Sequence, residues 1–263
     1  MHGTSRTYIS FALNPIMATR PVVLVTAGSA GLGRAAVELF ATHGYRVVIN
    51  YSSDKTRADE LLAELKVRGA GDHLAIQADL SLRTEVERLV NETYQAVGRI
   101  DVVFSNVGWS HFRDTTRLDD NAFDEDWDKA YTMNVKTHLW LLRAAEPYLA
   151  EAEGAFISTA SVAGVSGMGS ALAYGASKAA QIHMMKGLAT MVGPKIRVNT
   201  ISPGLLETEW ALRFTEEQKE KHKAQTRLKR FARVEDAAEQ VLSLARNKSI
   251  TGINIVIDAG FVP

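Results

Sequence analysis

Tyr174 and Lys178 place a phenol and an ammonium four residues apart, on one face of a helical segment. Together they can move a proton that neither moves alone. A phenol with a pKa of about 10 holds its proton too tightly to trade it at neutral pH. A neighbouring cation stabilises the phenolate and lowers that value toward the working range. The spacing by itself is a weak signal, because Tyr51 and Lys55 repeat it. Companion residues separate the two pairs. Ser161 lies thirteen residues before Tyr174, where its hydroxyl can hold a substrate oxygen near the phenol; thirteen before Tyr51 stands Glu38.

A second site of possible chemistry is the run Thr26-Ala27-Gly28-Ser29-Ala30-Gly31-Leu32-Gly33. Small residues there let a backbone approach a pyrophosphate, and a helix N-terminus following at once would stabilise it. The spacing is G-x-x-G-x-G rather than G-x-G-x-x-G, so a tight turn without a ligand is the rival reading. Its position, after the first apolar run and before the first helical pattern, favours a dinucleotide. An NAD enzyme of this kind places a carboxylate at the end of the second strand, to bind the ribose 2′-hydroxyl. Here that strand ends Val48-Ile49-Asn50-Tyr51-Ser52-Ser53, and the first carboxylate, Asp54, is better placed to cap the next helix. Asn50, Tyr51, Ser52 and Ser53 offer neutral hydrogen-bonding groups, while Lys55 and Arg57 offer charge. NADP(H) is therefore expected over NAD(H), because a charge-assisted phosphate contact is the stronger one.

These residues need a frame. Near-continuous apolar runs at Val22–Thr26, Tyr45–Asn50, Leu74–Ala78, Asp101–Ser105, Ala155–Thr159, Arg197–Ile201 and Asn254–Asp258 read as strands covered on both faces. Helical patterns at about 31–43, 54–68, 82–97, 122–150, 171–191 and 235–247 alternate with them. The alternation predicts an α/β fold: a doubly wound, Rossmann-like parallel sheet of about seven strands, in one domain over residues 21–263. Ligands of such sheets bind at the carboxyl ends of the strands, where the glycine run, Asn106, Ser161 and Pro203-Gly204 all fall. Residues 205–230 break the alternation with a longer helical excursion.

In this order the chain resembles the short-chain dehydrogenase/reductase family, from about Pro21 to Phe261. The resemblance rests on the glycine turn at 26–33, Asp79-Leu80, Ser105-Asn106-Val107-Gly108, Asn134, Ser161, Tyr174 with Lys178, Pro203-Gly204 and Thr208. It implies that Tyr174 exchanges the proton, Ser161 orients the substrate oxygen, and Lys178 lowers the Tyr174 pKa and holds the nicotinamide ribose. It further implies that Asn134 anchors a proton-relaying water. A cofactor would lie along Gly28, Ser29, Gly31, Leu32, Gly33, Asn50, Tyr51, Ser52, Asp79, Leu80, Asn106, Gly108, Pro203, Gly204, Leu206 and Thr208. Residues 205–230 would form a lid. Two departures stand out. Ala27 replaces the usual glycine after Thr26, at little cost provided its φ is not positive. Ser105-Asn106-Val107-Gly108 replaces Asn-Asn-Ala-Gly but keeps the second Asn.

The remaining sequence narrows the partners. Thirty basic and thirty acidic residues give zero net charge, which argues against nucleic acid or an anionic membrane surface. Without cysteine there is no disulfide or thiolate chemistry, which fits a cytoplasmic setting. The seven histidines show no ligand spacing, so no metal is expected. Residues 1–20 read as a flexible extension, and Met17 is a natural start that would make residues 1–16 dispensable. Trp109, His111 and Phe112 either line a substrate site or simply pack. Trp210 and Phe214 on the excursion suggest a bulky, partly aromatic substrate. Trp140, Leu141, Ile182 and Met185 look surplus to one sheet face and suggest a homo-oligomer, dimer or tetramer. The expected activity is hydride transfer between NADP(H) and a carbonyl or alcohol carbon, in the reducing direction. Non-redox cyclisation or isomerisation on the same fold, and an idle dinucleotide sensor, are the alternatives.

Overall fold

The computed structural model describes residues 20–69, 72–167 and 169–262. The expected N-terminal extension therefore lies outside the described residues except for Arg20. That residue is tied down, donating to Asp72 at 2.6 Å and to the Tyr45 carbonyl at 3.0 Å.

Seven strands form one sheet: β1 (Val22–Val25), β2 (Arg46–Tyr51), β3 (Leu74–Gln77), β4 (Val102–Ser105), β5 (Ala155–Thr159), β6 (Arg197–Pro203) and β7 (Asn254–Ile257). Their order is β3-β2-β1-β4-β5-β6-β7, and every pairing is parallel. Alternate residues of each strand enter opposite cores. Val23, Val25, Phe104 and Ile157 face α1 (Gly31–Thr42), α2 (Lys55–Val67) and α9 (Val234–Arg246). Leu24, Val103 and Phe156 face α3 (Arg83–Val97), α5 (Thr137–Glu151) and α7 (Leu172–Val192). Two dry faces on β1, β2, β4, β5 and β6 explain their unbroken apolar runs, while the edge strands β3 and β7 are half-buried.

Strand order reverses between β1 and β4, which opens a crevice at their carboxyl ends. Thr26 stitches that edge: its hydroxyl oxygen accepts from the N–H groups of Asn106 at 2.9 Å and Val107 at 3.2 Å.

The helix expected over 122–150 is three pieces. After α4 (Asp124–Tyr131), a π-helical turn (Thr132–Lys136) leads into α5. The Thr137 N–H reaches back five residues to the Thr132 carbonyl, and the Thr137 hydroxyl donates to the same oxygen at 2.9 Å and to the Leu80 carbonyl at 2.8 Å. A short helix, α6 (Ala163–Ser166), appears where none was expected. The excursion after β6 contains a 3₁₀ turn (Glu209–Arg213) and α8 (Glu216–Gln225), and a bridge between Leu206 and Ala232 closes its base. Tyr51 ends β2 and Lys55 opens α2, so the second tyrosine–lysine pair shares no helix face. Leu141 and Met185, expected to be surplus, are buried in the chain's own core at 0% and 1% exposure. The reason is that α5 packs against α3 as well as the sheet, and α7 against α4 and α6 as well as β6, so each buries more than one face. No described helix is long and apolar enough to cross a membrane.

Candidate active site

The end of β5, α6 and the first turns of α7 assemble the proton-handling group. The Ser161 hydroxyl oxygen accepts from the Ala163 N–H at 3.1 Å, which orients it at the start of α6. Gly164 lets α6 lie directly on α7: a Cβ there would come 2.6 Å from the Lys178 carbonyl carbon. Ser161 and Tyr174 are thereby set side by side in the cavity wall. Burial pushes the Tyr174 phenol up, and the neighbouring Ser161 hydroxyl opposes the shift. The Lys178 ammonium lies 5.9 Å from the Tyr174 ring centroid. Burial alone pulls it down to about 7.

Asn134 sits in the π-helical turn and is fully buried. Its amide oxygen accepts from the Trp109 N–H at 2.8 Å, and its NH₂ donates to the Trp109 carbonyl at 2.9 Å and to Ser177 Oγ at 3.0 Å. Ser177 Oγ in turn donates to the Tyr174 carbonyl at 2.8 Å. The side chain thus clamps the segment after β4 to α7. Gly108 completes the contact, since a Cβ on it would lie 3.4 Å from both Asn134 Oδ1 and Lys178 Nζ.

The glycine turn forms the opposite wall. The first turn of α1 carries neither a side-chain cap nor an acidic residue, so its N–H groups face the cavity unneutralised. A side chain at position 33 would drive a Cβ to 2.2 Å from the Ala27 carbonyl. Ala27 itself corrects the sequence expectation: its φ is +48°, so the condition for a cheap alanine is not met. Asn106 bridges the walls, donating from its amide toward the Ala27 carbonyl at 3.5 Å and accepting from the Thr159 hydroxyl at 2.9 Å. Thr208 packs over Gly31, its Cγ2 3.4 Å from where a Cβ would stand.

A cavity of about 750 Å³ joins the two walls. Gly31, Leu32, Asn106, Gly108, Ser161, Tyr174, Lys178, Pro203, Gly204, Leu206 and Thr208 line it, as do Trp109 and Trp210. Gly28, Ser29, Gly33, Asn50, Tyr51, Ser52, Asp79, Leu80 and Asn134 are not among the lining residues. Asn50 is the instructive one. It is 2% exposed, donates to the carbonyls of Tyr51, Ile76 and Ala78 at 3.2–3.3 Å, and accepts from the Ala27 N–H at 3.3 Å. Its side chain braces the glycine turn and is not presented to the cavity. Ser52 is exposed, and Asp79 holds the Ser81 N–H at 3.0 Å. Lys55 pairs with Asp59 at 2.6 Å, and Arg57 pairs with Glu209 of the excursion at 3.0 Å. Asp54 caps α2 by accepting from the Arg57 N–H at 2.9 Å.

At the mouth, Phe112 packs edge-on against Phe214 at 4.8 Å, with the Arg213 guanidinium over the rings of Phe112 and Trp210 at 4.8 and 5.0 Å. The Trp210 ring lies 6.5 Å from that of Tyr174. Sequence reasoning passed over the buried Gln181 and His138. Gln181 falls at the inward period of α7 with Ser177, Lys178 and Met185, a polar residue in an apolar rhythm. That was the available signal.

The profile of the family described as enoyl-(acyl carrier protein) reductase matches residues 26–262. A Streptomyces violaceoruber protein named as ketoacyl reductase 2 of the granaticin polyketide synthase is 34% identical over 91% of this chain and 95% of its own. The 3-oxoacyl-[acyl-carrier-protein] reductase FabG of Staphylococcus aureus is 32% identical over 90% of this chain and 96% of its own. Among solved structures, a blue fluorescent protein from a metagenomic library, in complex with NADPH, superposes with a TM-score of 0.84 at 28% identity, covering 92% of this chain and 98% of that one. With this fold, the Ser161–Tyr174–Lys178 cluster and these relatives, the chain belongs to the short-chain dehydrogenase/reductase family of oxidoreductases.

Proposed function

We propose that the protein reduces a carbonyl carbon of a bulky, partly aromatic small molecule, using NADP(H). One observation carries the reading: Ser161, Tyr174 and Lys178 converge on one wall of a cavity whose other wall is an open helix N-terminus. The cavity fits a dinucleotide. The α1 N-terminus would take the pyrophosphate, and Asn106, Lys178, Leu206 and Thr208 would flank the nicotinamide half. Bound there, the reduced nicotinamide supplies a hydride. Ser161 orients the substrate oxygen by a hydrogen bond, and Tyr174 Oη gives that oxygen its proton. Lys178 stabilises the phenolate left behind. Burial raises the Tyr174 pKa, which keeps the phenol protonated before transfer; a Lys178 cation nearby would limit the cost of ionising it.

The mouth supports the substrate class. Trp109 lines it from the segment after β4, and Trp210 and Phe214 line it from beside α8, in the segment we assign as the lid over residues 205–230. For the 2′-phosphate, exposed Ser52 and Ser53 with Arg57 remain once Asn50 is set aside. The ion pairs of Arg57 are partly exposed, hence weak enough for a phosphate to displace. A structural relative crystallised with NADPH supports the same choice. Half-buried Trp140 and Ile182, with exposed Leu139 and Met191, support self-association through α5 and α7.

The test is Tyr174→Phe, which keeps the ring and removes the proton. NADPH oxidation across an aryl-ketone panel should fall at least about 10²-fold in kcat while nucleotide binding persists. Turnover close to that of the unmodified protein would refute the mechanism.

A further inference from the structure

Lys178 is held by more than its burial. Its ammonium donates to the Thr159 carbonyl at 2.8 Å and to Gln181 Oε1 at 2.9 Å. Gln181 Nε2 donates to the same Thr159 carbonyl at 3.2 Å, closing a triangle of three groups. Chemistry fixes the orientation of the amide: an ammonium only donates, so the atom facing it is the oxygen. Gln181 is completely buried, on the same inward stripe of α7 as the core residue Met185. A leucine would fill that place without a polar group to satisfy, so the amide is there for its hydrogen bonds. Two of the three ammonium N–H groups are thereby directed, and the third is left for the cavity that Lys178 lines. The titratable groups facing Lys178 are Tyr174 on its own helix and His138 on α5. Among the described residues Lys178 forms no ion pair, so nothing but neutral acceptors holds its charge.

The geometry points to Gln181 as a positioning residue that aims the Lys178 ammonium and sustains its protonated state where no carboxylate pairs with it. Gln181 touches neither substrate nor reacting atoms; it acts through Lys178. The inference rests on the reductase reading only for its kinetic consequence.

The test compares Gln181→Leu and Gln181→Glu, with Gln181→Met as the nearest match in shape should leucine loosen the core. The first readout is independent of turnover. Lysine is labelled with ¹³C at Cε, the Lys178 resonance is identified by its loss in Lys178→Met, and the protein is titrated without nucleotide. Removing the acceptor should lower the Lys178 midpoint by about 1 pH unit or more, and the carboxylate should raise it. The second readout is the alkaline limb of kcat/KM, which reports the free enzyme and should move in the same two directions. Folded variants whose Lys178 midpoint stays put would overturn the inference, since a residue that merely packs would alter melting and leave titration alone. Midpoints that move while the kinetic limb does not would uphold the clamp and instead refute the role given to Lys178 in catalysis.

Discussion

Replacing Ala27 with glycine should stabilise this protein, against the usual direction of alanine-to-glycine changes. Ala27 has φ of +48°, a left-handed conformation that brings an L-residue's Cβ close to its own carbonyl oxygen. That costs about 1–2 kcal/mol. It persists because the neighbours over-determine it: Asn50 holds the Ala27 N–H, Asn106 approaches the Ala27 carbonyl, and Gly33 packs beneath. Glycine removes the clash but gains freedom in the unfolded chain, a loss of about 0.4–1 kcal/mol. At the midpoints of the two ranges the difference leaves about 0.8 kcal/mol of net stabilisation, or a rise in Tm of roughly 2–3 °C at this chain length. Urea unfolding and thermal melts of the nucleotide-free protein measure it. Ala259, at φ +57°, should respond the same way. Ala63, exposed inside α2, is the opposing control and should lose about 1 kcal/mol on the same change. If Ala63→Gly behaves normally while Ala27→Gly melts at or below the parent, the strain argument is wrong.

His138 is completely buried and held well below its ordinary pKa, first by burial and then by the charge of Lys178. The folded chain therefore binds fewer protons than the unfolded one below pH of about 6.5. Its contribution is present above that pH and lost beneath it, at a slope approaching 1.4 kcal/mol per pH unit at about one proton. Chemical unfolding at pH 7.5 and 5.5 should show a smaller acid loss in His138→Phe than in the parent; equal losses would refute this. For cofactor choice, the parent should show higher kcat/KM with NADPH than with NADH, and Ser52→Asp should lower that ratio at least about tenfold. A parent that prefers NADH would sink the assignment. For assembly, light scattering at micromolar concentration should give a mass above the 28.8 kDa of one chain, and a lone monomer would refute self-association.

The order of strands and helices was legible because the five inner strands are dry on both faces, which writes unbroken apolar runs into the sequence. The Ser161, Tyr174 and Lys178 cluster was legible because two of its members share one helix and the third follows a strand end. Other features were hidden for physical reasons. A hydrophobic rhythm does not report one inserted residue, so the π-helical turn was read as plain helix. A residue type does not report φ, so the strain at Ala27 was invisible. Asn50 looked like a polar group offered at a strand end, but three carbonyls on β2 and β3 and just beyond claim its amide. For the same reason Asn50→Asp would set a carboxylate against those carbonyls and damage the turn before it could report on the cofactor. Leu141 and Met185 looked surplus because a sequence does not show how many neighbours a helix has.

The π-helical turn has a consequence for how this chain can change its length. Each residue of an α-helix advances the phase by about 100°. The extra residue at Thr132–Lys136 therefore sets α4 and α5 out of step, like two half-shafts joined at an offset. One half carries Asp126, whose carboxylate holds Arg113 at 2.8 Å and His111 at 3.0 Å in the segment after β4. The other carries His138 and the core leucines. Deleting one residue at the joint would let the helix close up and swing the first half by that same angle. That segment would lose its tether while the α5 leucines kept their places. Single deletions here should therefore be tolerated by the fold and not by the site, and a compensating insertion within the turn would restore both.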